Sequence, residues 1–416
     1  MKPKHDTVCV VGLGYVGLPT AAILASRGFD VLGVDVNAET VALVNQGKVH
    51  IVEPDLDILV NGAVARGKLK AATRPAPAGA FIIAVPTPFV DDHKPDLSYL
   101  KEAAKSIAGV LEKGDLVIIE STLPVGTTEA LCAWLAKARP DLRFPHQAGS
   151  EADVQVAHSP ERVLPGRVLM ELAQNDRVIG GVSPLCAERA EGLYRRFVNG
   201  ECLITTACTA ELVKLAENSY RDVNIAFANE LSLVCDRLGL NVWDVADLAN
   251  RHPRVDILKP GPGVGGHCVA VDPWFIIDSA PGETPLMRAA RAVNDAKPAH
   301  VAARILAAAA EFPAPRIACL GLSYKADIDD LRESPAVEIV RILATQGKGD
   351  ILVVEPHVRH LPECLETLDR VTAVDLDRAL EAADVVVLLV DHKPFKAVAP
   401  ERLEGKTVID TRGLWR

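Results

Sequence analysis

The sequence predicts an α/β protein: two doubly wound parallel-sheet domains joined by a central helical domain built on one long helix. Three observations predict it. Short β-branched runs alternate with helical segments over roughly the first half of the chain. From Thr206 the stretch TAELVKLAENSYRDVNIAFANELSLVCDRLGL carries no Pro or Gly until Gly239, so it reads as one helix. Strand-like runs then resume beyond Phe312–Arg316 (FPAPR), where Pro and Phe mark a boundary. The expected domains are 1–205, 206–311 and 312–416.

The first strand, Val8–Val11, runs into Gly12, Gly14 and Gly17 in GxGxxG spacing and then into a helical segment. The second, Val31–Val34, ends in Asp35, at about the distance where an acid bonds the ribose hydroxyls of a dinucleotide. A glycine pattern alone is weak, but between a strand and a helix it is the Rossmann-like fingerprint. Unpaired N–H groups and the dipole at the helix N-terminus would hold a pyrophosphate. Asp35 repels a 2'-phosphate, so NAD is expected over NADP. Further strands follow at Phe81–Val85, Leu116–Glu120, Val154–Ala157 and Arg177–Gly180. The loops VPTPF (85–89) and ESTLPVGTT (120–128) lie at strand ends where ligands gather in such sheets. Thr87, Thr122 and Thr128 are placed there either to bond cofactor or water, or as ordinary turn and cap threonines.

On the long helix, Lys214, Asn218 and Arg221 stand at i, i+4 and i+7 and share one face. The helix is otherwise apolar enough to be interior, so the stripe lines a polar cavity or, failing that, faces solvent. Between Pro260 and Asp272 the chain reads PGPGVGGHCVAVD, a glycine-crowded loop that delivers Cys268 and closes on a carboxylate. Its glycines permit close approach to a ligand. The loop by itself leaves Cys268 open between a packed thiol and a nucleophile. The last strands are expected at Ile317–Leu320, Ile351–Val354, Val385–Val390 and Val408–Asp410.

With 416 residues and 49% hydrophobic content the chain can bury two or three cores. A net charge of -10 argues against general nucleic-acid binding or an anionic membrane surface. The 9 cysteines are scattered, with no CxxC pair, so neither a disulfide framework nor a metal cluster is expected. The chain enters a strand almost at once and has no apolar run long enough for a membrane span; a reducing cytoplasm is the expected compartment.

Taken together, GLGYVGLP, VPTP, SPERVLPG (159–166), the Lys214/Asn218 helix, GPGVGGHC and GLSYKADIDDLRESPA (321–336) resemble the UDP-glucose/GDP-mannose dehydrogenase family, in order and over essentially the whole chain. The segments HIVEPDL, NDRVIGG, RDVNIAFANELSL, WDVADLANRHPRVDIL and DTRGLWR are similar to the branch acting on UDP-N-acetyl-D-mannosamine. The resemblance implies two successive NAD-dependent oxidations at C6 of a UDP-sugar, from alcohol to carboxylate, without release of the aldehyde. It implies that Cys268 is the nucleophile of a thiohemiacetal and thioester. Lys214 and Asn218 match the family's oxyanion-stabilising pair; Glu161 and Asp272 match carboxylates that orient or activate water, with Thr122 helping to hold it. Tyr15, Val16, Asp35, Thr87, Thr128 and Arg332 match cofactor contacts. Substrate contacts would come from Arg162, Val163, Lys214, Asn218, Arg221, His252, Arg254, Gly265, Tyr324, Lys325 and Arg412, the cations suiting a diphosphate. His252, flanked by arginines, suits a phosphate or hydroxyl contact better than base work. The family pattern further implies a homodimer through the central helices. Tyr324 and Ile328 depart from the FK and TD that many relatives carry, which leaves Lys325 in place. Competing expectations are the same chemistry on UDP-N-acetylglucosamine or UDP-glucose, a two-electron hydroxy-acid dehydrogenase that needs no cysteine, and a non-catalytic nucleotide-sugar sensor.

Overall fold

The computed structural model describes residues 6–90, 93–164, 166–266 and 268–415. It divides into two compact units, one of residues 1–217 with 274–279, the other of 218–273 with 280–416.

The first unit is built on strands β1 (Thr7–Val11), β2 (Asp30–Val34), β3 (Leu69–Ala72), β4 (Ala80–Ile83), β7 (Leu116–Ile119), β8 (Gln155–His158), β9 (Arg177–Gly181) and β10 (Cys202–Thr206). They form one sheet in the order β10-β9-β8-β7-β4-β1-β2-β3, and a small hairpin, β5 (Phe89–Val90) with β6 (Lys94–Pro95), stands apart. All six strands expected from this part of the sequence are present. Every neighbouring pair is parallel except β8 and β9, where Ala157 faces Gly181 in antiparallel register. The central strands AFII, LVII and QVAH are buried along their whole length, as strands covered on both faces by helices must be. Phe81, fully buried at their centre, contributes about 1.5–3 kcal/mol by leaving water. The edge strand β10 (CLITT), by contrast, has exposed and half-buried positions.

The second unit contains a five-stranded parallel sheet, β11 (Arg316–Leu320), β12 (Asp350–Val354), β13 (Val371–Ala373), β14 (Val385–Leu388) and β15 (Thr407–Asp410), in the order β13-β12-β11-β14-β15. The long helix spans Ala207–Leu238, as its uninterrupted sequence requires, about 48 Å at 1.5 Å per residue. Gly239, with φ 67°, ends it. Asn241 caps the next helix, Val242–Ala249, and Ser334 caps Pro335–Gln346, each accepting a backbone N–H. A 25-residue helix, Pro285–Ala309, continues through Pro298. No helix among the described residues is long and apolar enough to cross a membrane.

Candidate active site

Each unit carries its own set of candidate groups. In the first, the sheet order reverses between β1 and β4, so their carboxyl ends open a crevice. The three fingerprint glycines meet two kinds of demand there. Gly12 holds φ 93°, and a Cβ on it would meet Ala84 O at 2.4 Å; a Cβ on Gly17 would meet Gly12 O at 1.8 Å. Gly14 faces open space, with nothing within 4 Å. The first and third are thus dictated by packing of the chain on itself, while the second keeps the backbone bare where a pyrophosphate would approach. Exposed Tyr15 and half-buried Val16 lead into the helix Gly17–Ser26. Asp35 braces the turn: its carboxylate accepts Leu13 N–H at 3.0 Å and Asn37 N–H at 2.9 Å. Thr87 donates to the carbonyl of Thr122 at 2.7 Å, tying together the loops after β4 and β7. These residues fit NAD.

Thr128 is tied to the long helix. It is fully buried, and its hydroxyl and N–H both bond Glu211, which also accepts Gly126 N–H at 2.6 Å. A carboxylate from the long helix therefore sits on the N-terminus of the helix Thr127–Ala138, a favourable position for negative charge. Burial nonetheless pushes the Glu211 carboxyl up, against those hydrogen bonds.

After β8, Glu161 folds its carboxylate back onto the N–H of Val163. Burial raises its pKa, and the nearby Lys214 charge opposes the rise. The neighbouring Arg162 forks onto Glu217 through Nε, at 3.0 Å, and Nη2, which commits its guanidinium within the unit. Beneath this loop lies a network that the motifs did not disclose. Arg177 pairs with Glu120 at 2.5 Å and donates to Ser159 at 3.0 Å; Tyr194 donates to Glu120 at 2.8 Å and lies under the guanidinium at 4.3 Å. Glu120 was legible as a strand end and Arg177 as a strand start, but nothing in the sequence couples residues so far apart.

In the second unit, Asn218 donates to Asp272 at 2.5 Å, and both are buried. Asp272 opens the helix Asp272–Ser279, and its N–H bonds the carbonyl of Cys268 at 2.8 Å, so loop and helix start form one turn. Cys268 is half-buried. It differs in this from Cys9 and Cys319, whose thiols burial pushes up to about 12 and makes inert. The glycines before it are close-packed. A Cβ on Gly265 would meet Glu333 O at 2.5 Å and Tyr324 Cβ at 2.7 Å, and Gly266, at φ 82°, lies against the Tyr324 ring and donates to Arg332 O. Tyr324 and the half-buried Lys325 follow β11, and Arg412, following β15, donates from Nε to Asp391 at 3.1 Å while lying against Gly261. Arg332 is exposed and forks onto Asp330. Arg221, His252 and Arg254 are exposed. Of the helix stripe, Lys214 and Asn218 are buried and Arg221 is not.

Among the described residues one group could hold a metal: Asp327, His357 and His392, with ligand atoms within 4.8 Å of one another. His392 Nδ1, however, accepts the N–H of Asp327 at 2.9 Å, and Nε2 faces Glu355 and Ser323, both at 3.2 Å. The ring has no lone pair left for a metal.

The domain patterns of one family match in the order of the chain. The NAD binding domain of the UDP-glucose/GDP-mannose dehydrogenase family matches residues 6–198, its central domain 208–296 and its UDP binding domain 318–416. The chain belongs to this UDP-glucose/GDP-mannose dehydrogenase family. It is thus an NAD-dependent nucleotide-sugar dehydrogenase. An NDP-N-acetyl-D-galactosaminuronic acid dehydrogenase of Ralstonia nicotianae is 60% identical over 98% of this chain and 96% of its own. A UDP-N-acetyl-D-mannosamine dehydrogenase of Yersinia pestis is 58% identical over 99% and 100%. The structure of the UDP-D-ManNAc dehydrogenase from Pyrococcus horikoshii superposes with a TM-score of 0.88 at 41% identity, covering 99% of this chain and 96% of that one.

Proposed function

We propose that this dehydrogenase oxidises UDP-N-acetyl-D-mannosamine at C6 to UDP-N-acetyl-D-mannosaminuronic acid, with two NAD per sugar, through covalent intermediates on Cys268. The observation that carries the chemistry is the half-buried Cys268 held one turn from the buried Asn218–Asp272 pair. NAD, when bound, accepts a hydride in each of the two oxidations. Cys268 adds through sulfur to the C6 aldehyde, giving a thiohemiacetal that keeps the aldehyde from solvent; the second oxidation leaves a thioester, which water cleaves to free the carboxylate and the thiol. Lys214 and Asn218 stabilise the oxyanions of addition and hydrolysis. Glu161 and Asp272, with Thr122, orient the water and take its proton. The division of labour follows the expected domains: 1–205 for NAD with Tyr15, Val16, Asp35, Thr87 and Thr128, to which Arg332 is added; 312–416 for UDP with Tyr324, Lys325 and Arg412; and 206–311 for the catalytic helix and a homodimer interface. Arg162, Val163, Arg221, His252, Arg254 and Gly265 complete the substrate contacts. The product suits a bacterial surface polysaccharide, made in the cytoplasm.

The substrate assignment rests on the mannosamine relatives and on the segments shared with that branch. A second reading has an observation of its own: the Ralstonia relative, 60% identical, is named for N-acetylgalactosaminuronic acid. Purified protein is incubated with UDP-N-acetylmannosamine, UDP-N-acetylgalactosamine, UDP-N-acetylglucosamine and UDP-glucose, and NADH is counted per sugar. Two NADH from the mannosamine sugar, at the highest kcat/KM, is the expected result. Preference for the galactosamine sugar overturns the substrate, and one NADH per sugar overturns the four-electron chemistry. Cys268→Ala is expected to lose at least about 10³-fold in kcat for the full oxidation, and mass spectrometry of trapped protein to find a sugar adduct on Cys268 in the unsubstituted chain.

A further inference from the structure

The second unit carries a half-open polar cavity of about 140 Å³ among the long helix, the helices Val242–Ala249 and Pro285–Ala309, and the start of the Gly/Pro loop at Pro260 and Gly261. None of the residues assigned above to catalysis or binding lines it. Lys297 does, although the residue is only 4% exposed. Its ammonium has three N–H donors, and among the described residues one bond is made, to Ser232 Oγ at 2.5 Å. Ser232 donates its own O–H to the carbonyl of Asn229. No carboxylate lies within ion-pair distance of Lys297 among the described residues.

The two acids that border the cavity are already satisfied. Asp236 pairs with Arg304 at 3.0 Å and faces His300 at 3.6 Å. Asp410 accepts the backbone N–H groups of Arg412, Gly413 and Trp415. Asn241 spends its carbonyl oxygen on Trp243 N–H. The N–H groups left over are two on Lys297, those of the Arg304 guanidinium not given to Asp236, and the Asn241 amide. Lys297 and Arg304 stand two helical turns apart on one face. A wall with surplus donors and satisfied acids is complementary to a ligand rich in acceptors. A volume of about 140 Å³ exceeds the roughly 30 Å³ share of one water several-fold, enough for such a group.

We propose that this cavity is a binding site for a small oxyanion, a carboxylate or a phosphate group, held by Lys297 and flanked by Arg304 and Asn241. Burial lowers the Lys297 pKa to about 8, so the amine is still charged in most molecules at pH 7. An occupant would touch the segment that leads to Cys268, since Gly261 N–H is fixed by Asn229 Oδ1 at 2.9 Å and Asn229 also accepts from Ser232.

The full chain is treated with an amine-acylating reagent in the presence of inorganic phosphate or of acetate, and modification of Lys297 is followed by peptide mass spectrometry, with exposed Lys48 as the internal reference. At about ten times the probe's Kd the rate at Lys297 is expected to fall about tenfold while Lys48 is unaffected. Protection by one probe alone supports the site and assigns the class. An unchanged rate with both probes overturns it, as does a Lys297 that is never acylated. Protection by UDP and by neither probe also overturns it, by assigning Lys297 to the substrate. Phosphate is further expected to raise the Tm of the unsubstituted chain more than that of Lys297→Met; should that variant not fold, the protection result on the native chain decides.

Discussion

The turn after β1 and the turn after β11 begin alike and end differently. Gly12 and Gly321 both have φ 93°, and each donates its N–H to the last residue of the adjoining strand, Val34 or Val354, at 2.8 Å. The next residue, Leu13 or Leu322, donates to the acid just past that strand, Asp35 at 3.0 Å or Glu355 at 2.6 Å. Each acid also accepts from the residue two further on, Asn37 at 2.9 Å or His357 at 3.0 Å. From there the first turn enters its helix at Gly17, with Gly14 bare to open space. The second runs on through Tyr324, Lys325 and Arg332 to a helix at Pro335, and its acid is closed over by buried His392 at 3.2 Å. One strand–turn frame thus serves two purposes. In the first unit the acid borders a crevice that fits a dinucleotide; in the second it is buried into the frame, and the lengthened loop lies against Gly265 and Gly266.

The largest effects come from breaking the shared frame. Gly12→Ala forces a Cβ to 2.4 Å from Ala84 O at a positive φ, and Gly321→Ala forces one to 2.4 Å from Val390 Cβ. Each is expected to cost about 2–4 kcal/mol by denaturant titration. Gly14→Ala separates packing from binding, since nothing stands within 4 Å. Stability should hold within about 0.5 kcal/mol while the Kd for NAD rises about tenfold or more. A destabilised Gly14→Ala that binds NAD normally would show that the bare position serves the fold alone.

Next come the two acids. Glu355→Ala strands the N–H groups of Leu322, Ser323 and His357 and removes one partner of a fully buried imidazole, for an expected loss of about 3 kcal/mol. Asp35→Ala should cost about 1 kcal/mol, and its main effect should be a higher KM for NAD with relaxed discrimination against NADP. The Glu355 frame also has a pH signature. Burial pushes its carboxyl up, but the hydrogen bonds from His392, Leu322 and His357 outweigh burial and leave the pKa below the ordinary 4.5. A depressed folded pKa gives stability that is present above the unfolded value and is lost as pH falls through the folded one. Acid titration of stability should therefore fall off below about pH 4.5 and be flatter in Glu355→Gln. Equal slopes for the two proteins would show that Glu355 is not a coupled acid.

The same contrast separates what is legible in the sequence from what is not. Gly12, Gly14, Gly17 and Asp35 announce themselves because their constraints act within one strand–turn–helix unit, and the long helix because nothing interrupts it. Cys268 stands out because the loop's glycines are concentrated around it. The strands β3, β10 and β13 escape notice because LKAA and VTA are short and partly exposed, and CLITT is an edge whose Leu203 and Ile204 face out. The burial of Thr128 by Glu211 joins residues 83 apart, and the Arg177–Glu120 pair joins residues 57 apart. Such partnerships are set by tertiary packing and leave no local pattern. The equivalence of Glu355 with Asp35 is hidden because the second turn is lengthened and carries no second and third glycine at fingerprint spacing.

The smallest effect asks whether the lengthened loop matters for stability or for ligand. Arg332 holds Asp330 in a local fork at 2.6–3.1 Å on an exposed segment. Such pairs contribute about 0.5 kcal/mol at most, because water screens them and the side chains lose entropy in forming them. In a chain this long the Tm of Arg332→Gln should move by about 1 °C. If the loop instead presents Arg332 to the cofactor, the loss of a charge-assisted contact should raise the KM for NAD about tenfold, equivalent to about 1.4 kcal/mol. Differential scanning calorimetry and initial-rate kinetics on the one variant separate these. A KM that stays put while Tm drops by several degrees would make Arg332 a brace for the loop. The second turn would then have been lengthened only to pack against Gly265 and Gly266, with no part in holding NAD.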